Sequence, residues 1–295
     1  MPNNNLVDIE PKYKDSEVEK FDNEDIFMDA YVELLKQSIQ LLYHIVDYKY
    51  CDDNGEPQKI DKEAAVLGGN LTRLIKLNTS FLQNVCEGKL EICYIINRCL
   101  AETFINVKYM LLESEERVKR NYIKHSLITE KELWEIILSN VKDRDNDKLP
   151  IENRMQISIQ SSFDKSDFEL EDVNRSSKWK SIKSRADEVA GEMFYSVYYG
   201  LASHSIHGNW QDILLNNLTK LDKGFKLNLK WHRPKPQIMD GPITFNLDIV
   251  TLFNEKVLRD DKHYSTRKEK VDLLFTYYLI LTQKHEDWLS KKNGL

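Results

Sequence analysis

The 295-residue chain is 41 % hydrophobic and 31 % charged, with only 10 glycines and 7 prolines, a balance that excludes a disordered, collagen-like or low-complexity protein. Its 42 Lys and Arg against 48 Asp and Glu leave a formal charge of -6, which argues against a broad nonspecific grip on nucleic-acid backbone and leaves room for a local basic site. A chain of this length buries roughly three quarters of its unfolded surface, so its core needs no disulfide framework.

Residues 1–22 are polar and without period, which predicts a disordered tail. From Asp22 the pattern changes: Phe27, Ala30, Leu34, Leu35, Leu42 and Ile45 recur at three- and four-residue steps, predicting a helix to about Tyr48. A second helix is expected from Asp61 to a glycine cap at Gly88. The third, Leu90 to Leu112, is apolar on nearly every side and should therefore be central. After the charged segment Ser114 to His125, Thr129 with Glu132 reads as a capping box opening another helix.

Residues 143–178 form a polar excursion with a short helix near Glu152 to Gln160. A long amphipathic helix is expected from Ser181 to His207, ending near Gly208. Alternation from Phe225 to Trp231 predicts a strand or hairpin, and two helices close the chain, Leu247 to Arg259 and Arg267 to Lys291. The expected fold is thus all-α, a multi-helix bundle with a small β-hairpin or single strand near residues 224–232, and 23–295 forming a single helical domain.

The cysteines include no CxxC pair, and Cys86, Cys93 and Cys99 fall in helical, mostly apolar surroundings, which reads as buried, reduced thiols. The N-terminus has no apolar signal core, and no apolar run approaches the roughly 18 residues of a membrane span. The expected location is the cytoplasm, without a membrane partner.

Three constellations could carry chemistry. On the third helix Arg98, Glu102 and Tyr109 fall within a narrow arc, with Asn106 at its edge, while Leu100, Phe104 and Val107 lie opposite. Charge on an apolar helix reads either as a structural ion pair or as an anion receptor, Arg98, oriented by Glu102.

The second is Arg120-Asn121-Tyr122-Ile123-Lys124-His125. An Arg and a His separated by four residues, with a polar residue directly after the Arg, resembles the motif of the HEPN-type (higher eukaryotes and prokaryotes nucleotide-binding) helical ribonucleases. The resemblance implies a metal-independent endoribonuclease of the toxin or phage-defence kind. In it Arg120 and His125 are catalytic, the RNA 2′-hydroxyl is the nucleophile, and a homodimer brings two motifs together. The residue types suit that chemistry, since a His near neutral pKa moves the proton and an Arg fork stabilises charge developing on phosphate. Lys119, Arg120 and Lys124 should keep His125 neutral. The motif lies mid-chain in a charged segment, a departure from the family's late-helix placement, and a solvated helix face is the plainer reading.

The third is the run Tyr199, Ser203, His204 and His207, in which Tyr199, Ser203 and His207 repeat every four residues and should share one helix face. Together with Arg98, Glu102 and Trp179 it is similar to a pattern found in an uncharacterised family of bacterial helical proteins, Arg-x3-Glu, then Trp, then Tyr-x3-Ser-x3-His, spanning roughly residues 90 to 210. His204 and His207 offer two of a metal's ligands without a compact third, Ser203 lacks a nucleophile-elbow pattern, and no Gly-rich phosphate loop exists. No metal and no cofactor are therefore expected. The alternative to an RNA-cleaving enzyme is a noncatalytic binding or regulatory module. In that reading Arg98, Glu102, Tyr199, Ser203, His204 and His207 line a polar inter-helix pocket for a small-molecule or protein regulator.

Overall fold

The computed structural model describes residues 6–52, 54–174, 178–200 and 203–294, with the backbone alone at Ser203 and His204. It is an all-α bundle with one small antiparallel hairpin. After the single turn α1 (Asp15–Val18) come α2 (Glu24–Tyr50), α3 (Lys62–Cys86), α4 (Leu90–Leu112), α5 (Glu116–Asp143) and α6 (Pro150–Ser166). Then follow α7 (Ile182–Ala190), the turn α8 (Glu192–Phe194), a π-helical stretch (Tyr195–Gly200), α9 (Ser203–His207) and α10 (Trp210–Asn216). Strands β1 (Leu218–Lys220) and β2 (Phe225–Leu227) precede α11 (Asp240–Lys256) and α12 (Tyr264–Asn293).

The early helices start where side chains can satisfy their orphan amides: Asn23 accepts from the Ile26 N–H and Asp61 from the Ala64 N–H. Gly88, at φ +73°, lets the chain leave α3 and enter α4 directly. α4 packs against α3, α7 and α11, as its all-round apolar sequence requires. Inside the bundle Asn78 and Asn246 exchange amide hydrogen bonds at 2.9 and 3.2 Å, and Asn246 also donates to Ser38 at 3.0 Å. These three groups tie α2, α3 and α11 at a fixed register, since any slip would leave a buried amide unpaired.

Several expectations need correction. Residues 6–22 are no loose tail: Leu6, Ile9, Val18 and Phe21 are buried in the main core, and Phe21 meets Phe27 edge-on at 5.3 Å. Four apolar side chains were enough to dock a segment that is polar on average. The capping box at Thr129 opens nothing, because α5 runs unbroken from Glu116 to Asp143. Without Gly or Pro in that stretch, and with Val118 and Leu127 both buried, continuing the helix costs less than breaking it. Residues 143–178 are more than a polar loop, since α6 packs on the distal half of α5 around Leu127, Ile137, Ile159 and Phe163, with Phe168 and Val173 completing a second core.

The helix expected from Ser181 to His207 breaks at Gly191, whose φ of +83° suits glycine alone. The hairpin lies at 218–227, earlier than expected, with Leu218 opposite Leu227 and Lys220 opposite Phe225, and Leu229 and Trp231 fall beyond it. All four cysteines are free, but Cys86 is exposed and Cys51 and Cys99 half-buried, leaving Cys93 as the buried one. No helix among the described residues is long and apolar enough to cross a membrane.

Candidate functional site

The polar stripe of α4 faces the segment 179–200, and a single buried arginine lies where they meet. Arg185 follows Ser181, the N-cap of α7, and stands four residues before Val189, so it falls on the inward face of its helix. It is 5 % exposed. Its Nε donates to the Lys180 carbonyl at 3.0 Å, its Nη1 donates to Asn106 Oδ1 on α4, and its guanidinium lies 4.4 Å from the centre of the Trp179 ring. Tyr109 and Tyr122 meet Trp179 edge-on at 5.4 and 5.2 Å and so hold the ring against which the cation lies.

Burial pushes the Arg185 pKa down to about 10, opposed by the nearby Glu102, Tyr109, Tyr122 and Tyr199. Glu102 is the formal charge in that set, and it is exposed, so its attraction for Arg185 is partly screened. A second arginine completes the group. Arg98, one turn before Glu102, lays its guanidinium 3.1 Å from the centre of the Tyr199 ring and donates from Nη1 to the Tyr199 carbonyl at 3.2 Å. Tyr199 in turn stacks on Tyr195 at 4.8 Å, and burial and then Glu102 raise its pKa against the opposing charge of Arg98.

The sequence candidates are brought together only in part. Arg98 and Tyr199 meet, and Glu102, one turn beyond Arg98, stands near enough to raise the Tyr199 pKa. Arg120 and His125 do not meet, because five helical residues place them about 140° apart around α5. Arg120 is exposed with its guanidinium 5.3 Å from the Phe168 ring, which Lys62 and Lys124 also approach at 5.5 and 5.0 Å; this is packing at the edge of the second core. His125 is exposed as well; partial burial first, and the Arg185 charge second, hold its pKa below the usual value. The direction is the one expected from sequence, whereas the charge responsible is Arg185 and not Lys119, Arg120 or Lys124.

Tyr199 belongs to the π-helical stretch and His207, exposed, to α9. The side chains of Ser203 and His204 lie outside the described residues. Among the described residues no group of three or more His, Cys, Asp or Glu is placed to hold a metal ion. Sequence reasoning assigned no role to Arg185 and Tyr122; the position of Arg185 on the stripe of Ala186 and Val189 was the available signal.

Every one of these residues, from Arg98 to His207, lies in the span 64–225 that matches a family profile, more than half of the chain. No curated protein and no solved structure matches the chain. The chain belongs to DUF5677, a family of unknown function.

Proposed function

We propose that this protein is a HEPN-like RNA-cleaving effector of the toxin or phage-defence type, cytoplasmic, acting as a homodimer and without metal. The observation that carries the reading is His125: a solvent-open imidazole kept below its usual pKa by partial burial first and by the charge of Arg185 second. A neutral imidazole at pH 7 can take the proton of an RNA 2′-hydroxyl. The oxygen so activated attacks the adjacent phosphorus, the bond to the 5′-oxygen breaks, and that oxygen takes a proton from solvent water, giving a 2′,3′-cyclic phosphate and a 5′-hydroxyl end while the imidazolium returns its own proton to water. Arg120, exposed one and a half turns before His125, is the cation available to phosphate on the same helix, and a second copy supplies the facing motif. Arg185 acts as a positioning residue, holding α4 and α7 together beside the imidazole.

The test is cleavage of a single-stranded RNA by the purified protein in EDTA, wild type beside His125→Ala, with toxicity on expression in a bacterial host as the cellular readout. Loss of about 100-fold or more in rate at unchanged melting temperature is expected for an exposed general base. Full activity in His125→Ala, or none in the wild type, would sink it.

One observation favours the second reading, a noncatalytic ligand-binding or regulatory module: Arg98 and Tyr199 already satisfy each other across the two helices. In that case Arg98→Ala changes ligand affinity or melting temperature while His125→Ala changes neither.

A further inference from the structure

A different part of the chain has the opposite charge from the whole. Between Thr219 and Pro236 stand Lys220, Lys223, Lys226, Lys230, Arg233 and Lys235 against the one acid Asp222, in a protein of net charge -6. All six cations are exposed, and one of them, Arg233, pairs with Asp25 of α2 at 2.8 Å. Large apolar side chains stand open among them: Phe225 is 47 %, Trp231 56 % and neighbouring Trp210 55 % exposed, with Trp210 edge-on to Phe225 at 5.7 Å.

The platform is held in shape by its backbone. Gly224, at φ +92°, makes the turn between the strands, and the Asn228 N–H donates to the Asn217 carbonyl at 2.8 Å. The Asn228 side chain accepts from the Lys230 N–H at 3.2 Å and bonds the His232 ring at 2.9 Å. Pro234 and Pro236 are buried, and the Leu90 N–H at the start of α4 donates to the His232 carbonyl at 3.0 Å. That last bond joins the platform to the helix that carries Arg98, about 12 Å farther along at 1.5 Å per residue.

We propose that this basic, aromatic hairpin and its following segment bind single-stranded RNA and lead it along α4 to the site at Arg98 and His125. The choice of RNA rests on the nuclease reading above. Cations spaced among open rings are what an unpaired strand requires, phosphates meeting the lysines and splayed bases stacking on Phe225 and Trp231. A second copy is disfavoured as occupant, since a twofold interface sets the same patch against itself and would oppose five lysines to five. The bond to Leu90 fixes the patch to the first turn of the helix that carries Arg98, which favours the strand over an anionic membrane surface.

The experiment is fluorescence anisotropy of the full chain with a labelled 2′-O-methyl oligouridylate of about 20 nucleotides, which lacks the nucleophile and so reports binding alone. Wild type should bind, less tightly as salt rises. Lys226→Gln with Lys230→Gln should weaken binding at least tenfold and reduce the slope of log affinity against log salt by roughly 1.4. Trp231→Ala should weaken it about tenfold at unchanged melting temperature. Absence of wild-type binding, equal binding by the variants, binding to phosphatidylglycerol vesicles in place of the oligonucleotide, or loss of a dimer in the variants with RNA affinity intact would each overturn the proposal. Variant-sensitive binding with no cutting of native RNA upholds the hairpin and sinks the nuclease; native RNA cut equally well by the hairpin variants does the reverse.

Discussion

The Arg98 guanidinium lies 3.1 Å from the centre of the Tyr199 ring while donating to the carbonyl of the same residue. One side chain of α4 thus fixes both the ring and the backbone of the π-helical stretch that follows the break at Gly191. A planar, delocalised cation is needed to do both at once. Arg98→Lys should therefore lower stability by about 1 kcal/mol and Arg98→Ala by about 1–2 kcal/mol. Amide hydrogen exchange should accelerate over residues 195–200 before it does in α4. Uniform acceleration across both elements would show that Arg98 does not hold this stretch.

Behind that stretch Tyr198 packs on Gly241, the second residue of α11. A Cβ at Gly241 would stand 2.9 Å from Tyr198 Cε1 and 3.3 Å from Phe245 Cζ, closer than packed atoms allow. Tyr198 is held in turn by Phe194 and Phe245 at 5.0 and 5.2 Å, so it has little freedom to withdraw. Gly241→Ala should cost about 1–3 kcal/mol in denaturant unfolding, through overpacking alone. An unchanged midpoint would mean that Tyr198 swings aside freely.

His285 is 1 % exposed, and among the described residues neither of its ring nitrogens has a hydrogen-bond partner; Phe27, Tyr31 and Trp288 surround it. Burial lowers its pKa, so the unfolded chain takes up a proton that the folded chain refuses. Stability from this source is level above pH 6.5 and falls as the pH drops below the unfolded value. His285→Leu should remove that loss and raise stability at pH 7 by about 1 kcal/mol, since an unpaired buried polar group is replaced by an apolar one. Thermal melts at pH 5 and pH 7 decide the matter: a variant as acid-sensitive as wild type would contradict it.

Asp240 carries the opposite sign. Burial raises its pKa to about 6, against hydrogen bonds from Tyr278 and Tyr31 that favour the charged form. The folded protein therefore holds its proton to higher pH than the unfolded chain, and stability from Asp240 is lost as pH rises between about 4 and 6. Asp240→Asn should gain roughly 1–3 kcal/mol at pH 7 and nothing at pH 4. Equal gains at the two pH values would trace the effect to something other than titration.

How much of this was legible in the sequence follows from the range of the interactions involved. Helices α2, α3 and α4 were legible almost to the residue, because Asn23, Asp61 and Gly88 act on their own neighbours and the apolar stripes repeat over many turns. The Gly191 break was hidden, since the apolar spacing runs through it and only the backbone angle reveals it. At the site, the Arg98–Glu102 stripe was visible on one helix. The partners of Arg185 come from α4 and from Trp179 and Lys180, with Tyr122 of α5 holding the Trp179 ring, and nothing in local periodicity reports a contact across 79 residues such as that with Asn106. Arg120 and His125 illustrate the converse. Their spacing fits a motif, yet helical geometry sets them about 140° apart, with Arg120 against Phe168 and His125 feeling the charge of Arg185.

That divergence predicts the pH dependence of RNA cleavage. His125 is held below its ordinary 6.5 by partial burial first and by Arg185 second. A general base with a lowered pKa is free over a wider range, so kcat/KM should rise through a limb below pH 6.5 and stay level toward pH 8. Arg185→Lys keeps the charge and should leave the limb in place even where stability falls, because Lys cannot reproduce both the Asn106 bond and the stack on Trp179. Arg185→Gln removes the charge and should move the limb upward only part of the way, since burial, the larger cause, remains. Arg120→Gln, remote from the imidazole, should reduce kcat/KM without moving the limb at all. A limb at or above pH 6.5 in the wild type, or one that follows Arg120 and ignores Arg185, would remove His125 from the role of base.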